Sequence, residues 1–110
     1  MVRVKYTVED STHTLTALGH ANYDEYGKDI VCAGVSALVQ ALIGWLEENY
    51  HKVNCISVDT KEGEVTISCE GGEEVAAVFN MTFVGLMQIA DSYPDHVILS
   101  EQPIDSWERP

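Results

Sequence analysis

The stretch Asp29–Asn49, DIVCAGVSALVQALIGWLEEN, sets the frame for the rest of this 110-residue chain. Ile30, Val31, Val35, Leu38, Val39, Leu42, Ile43 and Leu46 recur at helical spacing and predict a helix with a broad apolar face. Asp29 reads as its N-cap, because a carboxylate there can accept a bond from the unpaired amides of the first turn. Glu47, Glu48 and Asn49 mark where the helix meets water. The uncharged run Ile30–Leu46 is 17 residues long, at the bottom of the membrane-spanning range. Gly34, Ser36, Gln40 and Gly44 dilute it and no basic anchors bracket it, so a buried helix is the better reading. A helix this apolar is expected to be covered on most sides and to form the centre of the core.

Towards the N-terminus, Val2, Val4, Tyr6 and Val8 alternate with Arg3, Lys5 and Thr7, the period of a half-buried strand. Glu9–Thr12 supplies turn residues, and His13–Leu18 returns as a second strand with Leu15 and Ala17 on one face. Towards the C-terminus, Val53–Val58 and Glu64–Glu70 form a second hairpin around Asp59–Gly63. Gly71 and Gly72 break the strand, and Glu73 and Glu74 suit the positive end of another helix. Its buried face runs through Val75, Phe79, Phe83, Leu86, Ile89, Ala90 and Tyr93, and Pro94 stops it. His96–Ser100 is a last short strand, and residues 101–110 are a polar tail. The order β-β-α-β-β-α-β predicts one α+β domain spanning 1–110. It is a two-layer domain in which a mainly antiparallel sheet of about five strands packs with two helices.

Six basic against eighteen acidic residues give a formal net charge of −12. A nucleic-acid binder needs a cationic footprint, and an anionic membrane repels such a chain, so neither partner is expected. A basic protein is attracted instead. Three cysteines, Cys32, Cys55 and Cys69, with no CxxC pair, make neither a disulfide framework nor a zinc knuckle. His13, His51 and His96 lack metal-ligand spacing, so no metal or cofactor is called for. MVRVKYTVED lacks the apolar region of a signal peptide, and the chain reads as cytoplasmic.

Chemistry concentrates just before and inside the central helix. Cys32 falls at the third helical residue, where free amides and the macrodipole favour a thiolate. His20, at the end of the second strand, can stand beside it as proton acceptor, and the first-turn amides, that of Cys32 included, can contribute to an oxyanion hole. Ser36 lies one turn beyond Cys32 on the same face, and Asp29 either caps the helix or orients His20. Bland readings stand next to each of these. A helix cysteine is usually a small core residue, a histidine at a strand end a surface group, and a helix serine bonded to its own backbone. Tyr23 and Tyr26 either meet a substrate or are ordinary loop tyrosines. Cys55 and Cys69 read as core.

Gly19-His20, eight residues, Asp29, two residues, Cys32, three residues and Ser36 form a pattern that resembles the bacterial ribosomal-processing cysteine proteases, the Prp family. The likeness covers nearly the whole chain, through the early GHA, the DIVCAGVSAL that opens the long helix, and the strand pair and helix that follow. Gly34 departs from it, since many members carry alanine there. The resemblance implies a cysteine endopeptidase with Cys32 as nucleophile, His20 as general base, and Asp29, Ser36 and Gly19 in support. It implies removal of the N-terminal extension of a large-subunit ribosomal protein, number twenty-seven, after a pair of aromatic residues. It further implies a homodimer, and a loop Ala21–Lys28 that closes over substrate with Tyr23, Tyr26 and Gly27 in it. A non-catalytic ribosome-associated module that holds a basic protein is the alternative.

Overall fold

The computed structural model describes residues 1–100, and of Cys55 only the backbone. The elements are β1 (Val2–Glu9), β2 (Thr12–Leu18), α1 (Ile30–Glu48), a 3-10 turn at Tyr50–Lys52, β3 (Asn54–Lys61), β4 (Glu64–Glu70), α2 (Glu73–Ser92) and β5 (Val97–Leu99). The expected order holds. The polar tail foreseen at 101–110 lies outside the described residues.

The five strands form one sheet in the order β3-β4-β2-β1-β5. Neighbouring pairs are antiparallel except β5, which runs parallel to β1 and pairs Val2 with Val97 and Val4 with Leu99. The sheet is therefore mixed, with three antiparallel pairings and one parallel. Asp10 and Ser11 make the first turn with φ of 48° and 69°. This pair of positive values matches the natural twist of a tight hairpin. β3 runs three residues beyond its expected end at Val58, because Asp59, Thr60 and Lys61 keep pairing with Thr66, Val65 and Glu64. That shortens the second turn to Glu62-Gly63, which bears on the site below.

Alternation sends Val2, Val4, Tyr6, His13, Leu15, Ala17, Ile67 and Cys69 to the helix side of the sheet, all buried. The helices cover this side, and threonine-rich positions such as Thr14 and Thr16 line the other. α1 and α2 meet through glycines: a Cβ on Gly34 would stand 3.2 Å from Ile89 Cδ1, and one on Gly85 2.8 Å from Leu38 Cδ2. The departure at Gly34 thus sits where the two helices approach closely.

One expectation is overturned. α1 is not enclosed: Val31, Val35, Val39, Leu42 and Leu46 are buried, whereas Ala33, Ser36, Ala37, Gln40 and Ala41 are exposed. Both helices are long and apolar enough to cross a membrane by length and composition, yet each lays one stripe on the sheet. The centre of the core belongs to α2 and β1. Phe79 stacks on Tyr6 and Phe83 lies tilted against it, with ring centroids 5.7 and 5.6 Å away. Full burial of rings this size contributes about 1.5–3 kcal/mol each. Inside this cluster the Tyr6 hydroxyl and His13 Nδ1 share a 2.6 Å hydrogen bond. Burial pushes the Tyr6 phenol well above its ordinary value and the His13 imidazole below its own, so both stay neutral.

Candidate active site

β2 ends at Leu18, and Gly19 redirects the chain with φ +95°. A side chain at Gly19 would collide with the carbonyl of Met1, so the glycine answers a close approach as well as a turn. Its amide donates to the carbonyl of Gly63 at 2.6 Å. His20 therefore emerges beside the tip of the β3–β4 hairpin. Its ring lies over Gly63, with Nε2 3.0 Å from where a Cβ of that residue would stand.

The loop after His20 has two unlike halves. Ala21 is buried and its carbonyl accepts a bond from His96 Nδ1 at 2.8 Å. The Tyr23 ring packs edge-on against Tyr93 and His96, at 5.2 and 5.3 Å between centroids. Tyr23 is itself 43% exposed, and the residues beyond it as far as Lys28 are exposed as well. Tyr26 is fully exposed, Gly27 has φ +88°, and Lys28 pairs with Glu25 at 2.9 Å on the surface. The flap expected over Ala21–Lys28 is thus pinned at its beginning.

Asp29 caps α1 as the sequence suggests. Its Oδ1 accepts the Cys32 amide at 2.9 Å, while Oδ2 accepts those of Tyr23 at 3.0 Å and Asp24 at 3.4 Å. These bonds, that from Cys32 foremost, hold the Asp29 carboxyl below its ordinary value. The cap has a chemical consequence. The Cys32 amide is already engaged, so the expectation that it helps form an oxyanion hole does not fit this arrangement. Nor does Asp29 bond to His20.

Cys32 is half-buried at the third residue of α1, and Ser36 follows one turn later, exposed. His20, Cys32 and Ser36 all line both of two open pockets. The first, about 240 Å³, runs between α1 and the second hairpin, and Val2, Ala17, Val35, Val39 and Val65 give it apolar walls. The second, about 640 Å³, lies under the exposed half of the loop and is lined by Asn22, Asp24, Tyr26, Gly27 and Asp29. Gly19 borders the first pocket. Tyr23 borders neither, because its ring is spent on Tyr93 and His96. Among the described residues no hydrogen bond joins His20 to Cys32, and the Ser36 hydroxyl makes none.

The hairpin wall of the first pocket, made by Thr60, Lys61, Gly63, Glu64 and Val65, was not foreseen. Gly63 reads in the sequence as an ordinary turn residue, and nothing local says that the turn faces His20. His96 was set aside because it lacks metal spacing, and its contact with Ala21 has no local signature. A nucleophilic side chain at a helix N-terminus with an imidazole in the same pocket is the equipment for acyl transfer.

The family model for cysteine protease Prp matches residues 1–98. The ribosomal processing cysteine protease Prp of Mycoplasma genitalium is 32% identical over 97 residues, covering 84% of this chain and 91% of that protein. Its counterpart in Mycoplasma pneumoniae is 34% identical over 105 residues, covering 93% and 98%. The crystal structure of the essential ribosomal processing protease Prp from S. aureus, with a covalently linked product peptide, superposes with a TM-score of 0.82. It is 25% identical and covers 93% of this chain and all of that one. The family match over residues 1–98 and relatives 32–34% identical over most of both chains agree: this chain belongs to the cysteine protease Prp family and is a cysteine protease.

Proposed function

We propose that Cys32 and His20 are the nucleophile and the general base of a ribosomal-protein-processing endopeptidase. The observation that carries this reading is their convergence: each lines both pockets, one from a helix N-terminus and one from a strand end. Sγ of Cys32 attacks the scissile carbonyl carbon while its proton passes to the His20 imidazole. The imidazolium then protonates the departing amine, leaving a thioester on Cys32. Water, giving its proton to His20, attacks the thioester and releases the acid and the free thiol. Ser36 and Asp29 support the pair, the one from the next turn and the other through the cap.

The substrate is the N-terminal extension of the large-subunit ribosomal protein numbered twenty-seven. The names of the relatives support a ribosomal target, and the apolar first pocket suits the aromatic pair that precedes the cut. Such a substrate is basic, and the net charge of −12 draws it in. The same charge argues for a protein partner rather than nucleic acid or an anionic membrane. The enzyme works in the cytoplasm as a homodimer. Tyr26 and Gly27, in the exposed half of the loop, close over bound substrate.

Incubation with the extended ribosomal protein is the direct test. Cleavage by the wild type, with at least about a thousandfold loss for Cys32→Ala, is the expected result. Equal cleavage by Cys32→Ala sinks the mechanism, and binding without cutting favours a holding module.

A further inference from the structure

His20 itself is exposed and makes no side-chain hydrogen bond among the described residues, yet the residues on either side of it are held by distant parts of the chain. Gly19, before it, donates its amide to the Gly63 carbonyl at 2.6 Å. Ala21, after it, is 1% exposed and gives its carbonyl to His96 Nδ1 at 2.8 Å. The imidazole rests on Gly63, where a Cβ would stand 3.0 Å from Nε2 and 3.6 Å from Cδ2 and Cε1.

Both holding residues are themselves fixed. Gly63 closes a two-residue turn between the paired Lys61 and Glu64, with φ +71°. The His96 carbonyl accepts the Val2 amide at 2.8 Å, and its own amide donates to Tyr93 at 2.9 Å. Its ring stands nearly perpendicular to that of Tyr23, 5.3 Å between centroids.

We propose that Gly63 and His96 are positioning residues for the reaction, forming a clasp that sets where the His20 ring stands relative to Cys32. Neither touches the reacting atoms. In a dyad the imidazole has no buried carboxylate to orient it, so its aim must come from the backbone on each side and the surface it rests on. Gly63 supplies that surface by having no side chain, and it anchors the residue before His20. His96 anchors the residue after. The clasp rests on the reading of His20 as the general base.

Four variants decide it: Gly63→Ala, His96→Phe, His96→Asn and His20→Ala. Phenylalanine keeps a ring against Tyr23 but has no donor for Ala21, whereas the asparagine amide can donate from nearly the position of Nδ1. Stoichiometric alkylation of Cys32, on the other side of the pocket, counts intact sites. Per intact site, Gly63→Ala and His96→Phe are expected to lower kcat at least about tenfold with KM within about threefold. Misplacement of a reacting group by about 1 Å carries a cost of this order. His96→Asn is expected to return kcat to within about threefold of wild type on the same scale.

If Gly63→Ala and His96→Phe keep their kcat per intact site, or if His96→Asn is as impaired as His96→Phe, the clasp is wrong. Should Gly63→Ala not fold, the His96 pair decides alone. A His20→Ala enzyme that cleaves at the wild-type rate overturns the base assignment and the clasp with it. An inactive His20→Ala beside unimpaired Gly63→Ala and His96→Phe overturns the clasp only.

Discussion

Oδ1 of Asp29 accepts the backbone amide of Cys32 at 2.9 Å, so the residue that caps α1 is bonded to the residue that carries the thiol. The other oxygen holds the amides of Tyr23 and Asp24, which ties the loop to the helix end. Loss of the whole carboxylate in Asp29→Ala should lower both the melting temperature and cleavage, the latter about tenfold or more by misplacing the nucleophile. Asp29→Asn keeps one acceptor for Cys32. It should melt closer to wild type while the Tyr23 and Asp24 amides exchange faster with solvent. A melting temperature unchanged in Asp29→Ala would show that the cap contributes nothing. The acid limb has a definite sign. The folded carboxyl lies below its ordinary 3.8, so the cap is fully in force above that pH and is lost as pH falls through the lower folded value.

The two halves of the loop should separate in hydrogen exchange. Ala21 is buried and Tyr23, though 43% exposed, keeps its ring against Tyr93 and His96, whereas Tyr26 is fully exposed. Amides of Tyr26 and Gly27 should exchange fast and that of Tyr23, held by Asp29 Oδ2 at 3.0 Å, slowly. Tyr23→Ala should erase the difference. Proline at Gly27 is a poor probe of loop closure. Gly27 has φ +88°, far from the value of about −65° that proline imposes, so the ring would distort the loop rather than rigidify its present shape. Gly27→Ala is the gentler test. It should slow turnover more than it lowers melting temperature if the exposed half closes over substrate.

Much of this was readable from the residues themselves. Apolar spacing located α1 and α2, the alternation of Val2 to Tyr6 located β1, and Asp29 before Ile30 located the cap. What periodicity reports is which residues can be buried. It does not report how much neighbouring structure there is to bury them, and so α1 looked enclosed although Ala33, Ala37 and Ala41 face solvent. Asp59 to Lys61 looked like a loop because they are polar. Their backbone nonetheless continues the ladder opposite Glu64 to Thr66. The parallel pairing of β5 with β1 rests on three residues joined across almost the whole chain, too little for any local pattern. Gly63 and His96 reach the site by the same kind of long-range contact.

The buried Tyr6–His13 pair predicts a pH dependence of stability that is separate from catalysis. Burial lowers the His13 imidazole from its ordinary 6.5, so the unfolded chain binds a proton that the folded chain resists. Stability from this group is complete above 6.5 and is lost as pH falls from there towards the folded value. One proton gives a slope of at most about 1.4 kcal/mol per pH unit. Denaturant midpoints measured between pH 7 and 5 should decline in the wild type and decline less in His13→Gln. Tyr6→Phe removes one partner from a buried 2.6 Å bond and should cost about 1–3 kcal/mol at pH 7. A His13→Gln protein with the wild-type pH slope would assign the acid sensitivity to other groups.

Salt should distinguish attraction of the whole substrate from recognition at the cut. The chain carries a net charge of −12, and the exposed half of the loop places Asp24 on the wall of the second pocket, with Glu25 next to it in the chain and paired to Lys28. A field of this sign accelerates the encounter with a basic protein, by about 10- to 1,000-fold at low ionic strength in strongly charged systems. The Debye length shrinks to about 8 Å at physiological salt and about 3 Å at 1 M, which screens long-range attraction before it touches contacts inside the pocket. Raising salt should therefore lower kcat/KM for the intact basic protein far more than for a short neutral peptide spanning the same bond, with kcat little changed for either. Substituting Asp24 and Glu25 with Asn and Gln should reproduce part of the salt effect at low ionic strength. Equal salt responses for protein and peptide would mean that the acidic surface serves solubility and leaves substrate capture to the pockets around Cys32.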